Sequence, residues 1–285
     1  MTAVMMIRRQ VVTPDYLLVL FVPVALLTGR LVSFLRDWVP LVALLLAWEA
    51  MRGFAGTTGF AVHTGAWRLE EALFGGRLPT VVLQQFARAH GWAAWLDPAM
   101  TIAYFAHFPA ALAFGLMLWL ADRPIFLQYM LTMLAMSFAA FVVFLLLPTA
   151  PPWWAADHNT FRGVDRIFQH TLVSRLDGLY QTLAPNPVAA IPSLHAAFPF
   201  LGFLALRRVW PRAAWIAFAW CWVIWFAIVY LGEHYVLDAV AGVAWAAAFW
   251  WLVQRVLVPR VAMLRASGDQ PAPAPAAELV PTLAS

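Results

Sequence analysis

Long stretches without charged residues constrain the fold of this chain more than any other feature. Several reach about 18 residues or more, the length at which a helix crosses the hydrocarbon core of a bilayer. The clearest apolar stretches are residues 99–121, 124–147, 194–206, 213–231 and 235–253. Upstream, residues 16–35 and 38–49 predict one hairpin, or one crossing with a re-entrant piece. We therefore predict an all-α, polytopic membrane helix bundle with six or seven transmembrane helices.

The composition excludes an ordinary soluble domain. Hydrophobic residues make up 64% of the chain and charged residues 11%, against roughly 25% charged residues in a typical soluble protein. All 18 basic residues are arginines. Because they flank the apolar stretches, they read as a topology signal rather than as a nucleic-acid surface. We expect membrane lipids as partners and no nucleic acid; partner subunits cannot be predicted.

The chain divides into one membrane-embedded domain and a tail. Residues 1–265 form the expected catalytic domain, which includes two interfacial segments at 67–90 and 164–183. In the second segment apolar residues recur at helical spacing with polar residues between them, which predicts a helix lying along the membrane surface. Residues 266–285 are rich in Ala and Pro and predict a disordered tail.

Clusters of arginine predict the orientation in the membrane. One tight turn and the segment after the last apolar stretch hold Arg207, Arg208, Arg212, Arg255, Arg260 and Arg265. The positive-inside rule places both on the cytoplasmic side. The chain near Pro148, Pro192 and His234 then shares the opposite face. We predict a multi-pass protein of the plasma membrane with an extracytoplasmic active site.

His234 and Asp238 form the first chemistry-bearing pair. On a helix, residues four apart share a face, and a carboxylate beside an imidazole fixes its tautomer and raises the basicity of the other ring nitrogen. A nucleophilic or basic histidine needs this arrangement. A structural staple would show the same spacing, although ionisable groups in membrane spans tend to be functional.

His195 is the second candidate. Ser193 stands where a helix N-cap is expected, and His195 follows in the first turn. Free N–H groups and the helix dipole favour an anion there, and a histidine beside a bound phosphate can protonate a leaving alkoxide. The alternative is a capped helix whose histidine points at lipid headgroups. Two histidines and one aspartate at one membrane face favour the functional interpretation.

Residues 192–195 (PSLH) and 234–238 (HYVLD) resemble the second and third motifs of the type 2 phosphatidic acid phosphatase superfamily. The closer resemblance is to its branch of inositol phosphorylceramide synthases, the aureobasidin-sensitive inositolphosphotransferases, and their bacterial relatives. Further similarity to that branch lies at residues 48–53, 73–76, 104–108, 148–153, 186–195 and 230–238. The resemblance thus runs from about residue 48 to residue 242.

The resemblance implies a role for each matching residue. His234 would be the nucleophile that forms a phosphohistidine, and Asp238 would orient it. His195 would be the acid for the leaving group and then the base for the acceptor. His107 and Phe108 would lie in the lipid-substrate pocket. The resemblance implies no metal or other cofactor. In the same motifs we include three tentative substrate-binding residues, Ser193, Asn186 and Tyr235.

The sequence departs from the superfamily in its phosphate-binding residues. The usual first motif has a lysine, six residues and then Arg-Pro, but Leu116 occupies the lysine position before Arg123-Pro124. That turn is expected to face the cytoplasm, so we interpret it as unrelated to the site. Ala227 and Ile228 stand where the third motif usually has Ser-Arg.

Phosphate must therefore be held by other donors, and an arginine fork suits it best. Arg162 and Arg166 lie in the loop after residue 148, and Arg52 is a further candidate. Contact with lipid headgroups is the alternative role for these arginines. Glu49 and Arg52 either pair with each other at a helix end or bind a polar headgroup. The neighbouring Trp153 and Trp154 predict an interfacial anchor.

The leading functional hypothesis is a lipid phosphotransferase that moves a phospho-headgroup from a phospholipid donor to a lipid or alcohol acceptor. A lipid phosphate or diphosphate phosphatase could use the same residues with water as the acceptor. Two other classes stay open, a haem-binding membrane protein with histidine ligands and a non-catalytic scaffold. The headgroup and the acceptor cannot be predicted from the sequence.

Overall fold

The computed structural model describes residues 14–55, 59–167 and 186–257. The predicted tail at 266–285 and most of the predicted surface helix at 164–183 lie outside these residues. Within the described ranges the chain is helical, with no strand beyond isolated bridges. Its helices in chain order are α1 (Pro14–Leu27), α2 (Leu31–Ala55), α3 (Ala66–Leu73), α4 (Pro79–Ala89), α5 (Ala93–Ala121), α6 (Arg123–Leu146), α7 (Pro152–Asp157), α8 (Leu194–Val209), α9 (Ala214–Tyr230) and α10 (Val236–Leu252). A π-helical turn, Val253–Leu257, continues α10.

Four of these helices are long and apolar enough to cross a bilayer. They are Leu31–Trp48 within α2, all of α5, all of α6, and Val236–Val256 at α10. The apolar helix α9 has 17 residues and α8 has 16. The all-α polytopic membrane fold is thus confirmed, and the count of six or seven crossings stays a prediction.

The first break in the bundle differs from the predicted one. The sequence suggested a break between residues 35 and 38, where Arg36 and Asp37 interrupt the apolar stretch. The chain instead turns at Gly29, whose φ of 67° suits glycine and closes the end of α1. Helix α2 runs through Asp37 without a break, because the Asp37 carboxylate is buried against Arg123 and Trp119. A charge in an apolar stretch marked a tertiary contact here, not a turn.

Helix α8 lies at the centre of the bundle and packs against α5, α6, α9 and α10. Its first residues share one end of the bundle with the start of α10, because the Ser193 N–H donates to the Asp238 carbonyl at 3.2 Å. We call this the loop-rich end. At the opposite, arginine-rich end, Arg208 donates to Gln254 at 3.1 Å.

Three separate segments join at the loop-rich end. The His63 N–H donates to the Pro148 carbonyl at 2.8 Å, and the Thr149 N–H donates to the Val188 carbonyl at 2.8 Å. The segments after α2, after α6 and before α8 are therefore tied together by backbone hydrogen bonds. The long connections gather at one face, as the order of the apolar stretches predicted.

Helices α3 and α4 cover the loop-rich end and bury Glu70, Thr80 and Gln84 against it. Thr80 donates to the Val229 carbonyl at 2.9 Å and Gln84 donates to the Tyr230 carbonyl at 2.8 Å. These bonds satisfy carbonyl groups at the end of α9 that have no partner within that helix. Leu69 and Leu73 of α3 are exposed. Exposed arginines, Arg68 and Arg88 among them, lie on the same outer side, and the interfacial position of residues 67–90 stays a prediction.

Candidate active site

His195 and His234 contact each other at the loop-rich end. Nδ1 of His195 lies 3.0 Å from Nε2 of His234, so one ring donates a hydrogen bond to the other. His195 stands in the first turn of α8, and Ser193 is the N-cap of that helix, as predicted. His234 lies in the short turn between α9 and α10. The packing of α10 against α8 thus brings together two residues that are 39 positions apart.

Asp238 completes a chain of three side chains. Its Oδ2 lies 3.5 Å from Nδ1 of His234, and the same oxygen accepts the Tyr235 N–H at 2.9 Å. The contact between residues four apart is present, but not on one helix face as the spacing suggested. His234 precedes the N-cap residue Tyr235, and Asp238 folds back to it as the third residue of α10. Asp238 is fully buried.

Two residues of α5 enclose the other side of His195. The Tyr104 ring stacks on His195 with centroids 4.5 Å apart, and the His107 ring lies 4.3 Å from it. Nδ1 of His107 faces the Tyr104 carbonyl at 2.5 Å, which assigns the proton to that nitrogen. Phe108 lies one position further, against Phe198 at 6.0 Å. The structure thus brings His107 to the site, with Phe108 beside it.

The three tentative residues from the motifs have clear backbone contacts. Ser193 accepts the Ala196 N–H at 3.3 Å, and Asn186 accepts the Val188 N–H at 3.1 Å. Tyr235 is buried as the N-cap of α10. All three shape the loops that carry the histidines. Their contact with substrate stays a prediction.

Arg166 is the candidate phosphate-binding arginine that contacts the residue before His234. Its guanidinium lies over the Trp153 ring at 3.7 Å, and its Nε is 4.0 Å from Glu233, the residue before His234. The prediction of an interfacial anchor is wrong for Trp153. Its ring is buried beneath Arg166, whose planar group stacks well on an aromatic face.

Arg162 and Arg52 are the other arginine candidates. Arg162 is exposed in the same loop. Glu49 and Arg52 lie in the last turns of α2, and their side chains are outside the described part of the chain. Their predicted roles remain open.

Arg123 lies far from the site, as the sequence predicted. Its guanidinium forms two hydrogen bonds of 2.6 Å with Asp37. It begins α6, a helix of 24 residues whose other end leads into the loop-rich end. At 1.5 Å per residue, about 35 Å of helix separates the two ends. Arg123 therefore stabilises the arginine-rich end and takes no part in the site.

Glu70 of α3 is a buried acid that the sequence interpretation did not select. Its Oε2 accepts the Leu237 N–H at 3.1 Å, at the start of α10. Burial raises the pKa of Glu70 to about 7, the Leu237 N–H opposes that rise, and the nearby Asp238 adds to it. Sequence patterns gave little sign of this residue, because Glu70 and Leu237 are 167 positions apart. Tyr104 was likewise missed as a direct neighbour of His195.

The donor set can be checked for metal binding. Over residues 14–55, 59–167 and 186–257, no group of three or more His, Cys, Asp or Glu has a metal-holding arrangement. His195, His234 and Asp238 form a linear chain of contacts instead. Such a chain can orient an imidazole, present its second nitrogen to a phosphorus atom, and hold a proton next to it.

Comparison with known proteins identifies a family for the chain. A family model described as the PAP2 superfamily matches residues 66–252, more than half of the chain and all three residues of the His-His-Asp chain. The chain is 29% identical over 202 residues to the phosphoinositol dihydroceramide synthase of Bacteroides thetaiotaomicron. That match covers 65% of this chain and 65% of the relative, slightly under two thirds of its length. No solved structure matches the chain.

Proposed function

The chain belongs to the PAP2 superfamily, and from that premise we propose that it transfers a phosphate-linked headgroup from a phospholipid to a lipid or alcohol acceptor. One observation carries the proposal. Three side chains contact each other in series. Nδ1 of His195 lies 3.0 Å from Nε2 of His234, and Nδ1 of His234 lies 3.5 Å from Oδ2 of Asp238. This order gives each group a distinct task.

His234 is the proposed nucleophile. Its Nδ1 faces the Asp238 carboxylate, so this nitrogen carries the proton and Nε2 carries the lone pair. The 3.5 Å separation is long for a hydrogen bond, and such contacts tighten when substrate binds. Nε2 attacks the donor phosphorus, forms a P–N bond and displaces the donor alkoxide. Asp238 stabilises the positive charge that develops on the ring.

His195 is the proposed acid and base. With the lone pair on Nε2 of His234, the hydrogen bond between the rings places a proton on Nδ1 of His195. His195 starts as an imidazolium, protonated on both ring nitrogens. When substrate binds, its Nδ1–H leaves Nε2 of His234, which frees that lone pair for the attack, and passes to the leaving alkoxide as the P–O bond breaks, so that His195 becomes neutral. In the second half, His195 removes the proton from the acceptor hydroxyl, whose oxygen attacks phosphorus while the P–N bond breaks. The histidines return to their starting protonation states.

Arg166 is the proposed phosphate donor among the arginines. Stacking on Trp153 and the nearby Glu233 fix its guanidinium beside the turn that carries His234. A fixed guanidinium can donate to two phosphate oxygens at once. This arrangement would replace the lysine and arginine of the wider superfamily, which the sequence lacks at the expected positions.

Phosphoinositol is the proposed headgroup. Support comes from the name of the Bacteroides relative, which describes a synthase that handles phosphoinositol and dihydroceramide. A transferase also fits the absence of the superfamily's usual first motif better than a phosphatase does. The acceptor would be a hydroxyl at the end of an apolar lipid, or a free alcohol.

The haem alternative has little support from the geometry. His195 and His234 contact each other directly, and His234 also faces Asp238. These contacts leave no space for an iron between the two rings. The same pairing argues against a scaffold, because a polar chain of three buried or half-buried groups is costly in a membrane unless it is used.

The predicted orientation in the membrane is also part of the proposal. Arg208 and Arg255 lie at the end of the bundle opposite His195, together with Arg30 and Arg123. The positive-inside rule places that end in the cytoplasm. The site then faces the outer side of the plasma membrane, where the headgroups of the outer leaflet reach it.

Purified protein in liposomes tests the function directly. The liposomes carry phosphatidylinositol with a radiolabelled phosphate and dihydroceramide as acceptor, so that the transfer product is a labelled lipid different from the donor. We expect a labelled phosphoinositol lipid, and a labelled protein band in an alkaline quench, where a phosphohistidine survives. His234→Ala should abolish both signals, because it removes the attacking nitrogen.

His90→Ala is the matched control, since His90 is an exposed histidine at the C-cap of α4, outside the site. It should retain wild-type transfer. Release of inorganic phosphate from a lipid phosphate monoester, with no headgroup transfer, would assign the phosphatase activity instead. Full transfer by His234→Ala would refute the mechanism.

A further inference from the structure

Glu70 is unusual on α3 because an acidic side chain is buried there while neighbouring leucines are exposed. Leu69 and Leu73 are exposed, whereas the Glu70 side chain is fully buried. A carboxyl group loses its hydration when buried, so such a position is costly unless the group has a specific partner. The partner lies at the start of the helix that carries Asp238.

The contact ties α3 to the first turn of α10. Oε2 of Glu70 accepts the N–H of Leu237, the residue directly before Asp238. Asp238 uses its own Oδ2 for the Tyr235 N–H and for His234. The second oxygens, Oε1 of Glu70 and Oδ1 of Asp238, have no hydrogen-bond partner among the described residues. Two buried acids thus stand side by side at one helix end.

The proximity of the two acids decides how they share charge. Two neighbouring buried carboxylates repel each other, so one keeps its proton while the other ionises. Asp238 needs its charge to hold the proton of His234. The proton therefore resides on Glu70, whose Oε2 still accepts the Leu237 N–H in the neutral acid.

We propose that Glu70 is a positioning residue that acts through Asp238: it fixes the first turn of α10 and, by staying neutral, lets Asp238 carry the single negative charge beside His234. This inference rests on the proposed function of His234 and Asp238. It assigns a part in the reaction to α3, a helix that carries neither histidine.

Three substitutions separate the two parts of this role. Glu70→Gln keeps an oxygen for the Leu237 N–H and is neutral, so kcat should stay within about threefold of wild type at pH 6. Glu70→Leu removes the acceptor, and Glu70→Asp is one methylene too short to reach. Both should lower kcat on the order of tenfold with KM unchanged, which is the effect of a lost helix cap on a catalytic group. If Glu70 only filled space, Glu70→Leu, an apolar side chain of similar volume, would keep wild-type kcat.

A double variant tests whether the effect passes through Asp238. If it does, Glu70→Leu combined with Asp238→Asn should turn over no more than about twofold slower than Asp238→Asn alone. Independent effects would multiply instead. Multiplied losses, or wild-type kcat in folded Glu70→Leu, would overturn the inference.

The pH profile keeps the inference testable if the leucine and aspartate variants do not fold. The titratable groups facing Glu70 are Asp238 and Tyr235 of α10. Ionised Glu70 would disfavour the charge on Asp238 and repel an anionic phosphate, so wild-type kcat should fall at a lower pH than kcat of Glu70→Gln. Identical profiles would overturn the inference. His234→Ala, assayed in parallel, shows whether the proposed function itself holds.

Discussion

Gly242 controls the distance between the two helices that carry the site. It lies one turn after Asp238 on α10, and a Cβ atom at this position would stand 2.1 Å from the Ser193 carbonyl oxygen. That carbonyl belongs to the N-cap of α8, two residues before His195. Neither side can move away easily, because the carbonyl belongs to the backbone at the start of α8 and Gly242 lies inside α10.

Gly242→Ala should therefore push α8 and α10 apart. Ordinary contact between a methyl group and an oxygen needs more than 3 Å, so the gap must widen by about 1 Å in a close-packed interior. The same shift would stretch the 3.0 Å contact between His195 and His234 to roughly 4 Å. A misplacement of this size costs about 100-fold in turnover. The overpacking itself should cost about 1–3 kcal/mol of stability.

The assay is headgroup transfer per folded molecule, with folding followed by thermal unfolding in detergent. Gly115→Ala is the matched control, because its Cβ would meet the flexible end of Met130 at 2.6 Å. The control should keep turnover within about threefold while losing similar stability. A folded Gly242→Ala protein with more than half of wild-type turnover would refute the link between helix spacing and histidine geometry.

Three further predictions address single contacts. Asp238→Asn keeps an oxygen for the local N–H and should fold normally, yet turnover should fall about 100-fold or more because His234 loses its charged partner; normal turnover would disprove the orienting role. Arg123→Ala should lower the free energy of unfolding by about 2 kcal/mol, since it removes two charge-assisted hydrogen bonds from the buried Asp37 carboxylate, which keeps Trp119 and Arg36 as donors, and turnover per folded molecule should stay within twofold. A folded but inactive Arg123→Ala would place this arginine in the site. Folding raises the pKa of Glu70 from 4.5 to about 7, so the folded state binds more protons than the unfolded state between these pH values. The free energy of unfolding should therefore fall as the pH rises from about 5 to 7. Glu70→Gln should remove this part of the pH dependence of stability, and an unchanged dependence would contradict the assignment.

The helix cap before His195 and the contact between His234 and Asp238 could be predicted because their signals are local. Ser193 caps α8 two residues before His195, and Asp238 reaches back to His234 within a single turn. Contacts between residues so close in sequence form whatever the tertiary arrangement of the helices. The order of apolar stretches then placed both segments at one face, and the structure brings the two histidines into contact there.

The remaining parts of the site depend on contacts between distant segments. Glu70 looks like an ordinary acid on a surface helix until α3 packs on α10, and Trp153 looks like a membrane anchor until Arg166 covers it. The break misplaced at Asp37 has the same origin, since its partner Arg123 lies 86 residues away. In an apolar chain, a charged residue marks either a boundary or a buried pair, and only the partner decides which.

The balance of charge at the site explains why a proton on Glu70 would matter for chemistry. The phosphate diester of a phospholipid carries one negative charge, and it must approach a region that contains Glu70, Asp238 and Glu233, all buried. Arg166 lies within ion-pair distance of Glu233. The positive charge of the proton that the two histidines share faces Asp238. Only Glu70 has no cation beside it among the described contacts. If it were ionised, the substrate would meet a net negative site in a poorly screened environment, where each charge acts strongly. Neutral Glu70 removes that barrier while its oxygen still holds the helix, so one carboxylic acid supplies structure without opposing the substrate.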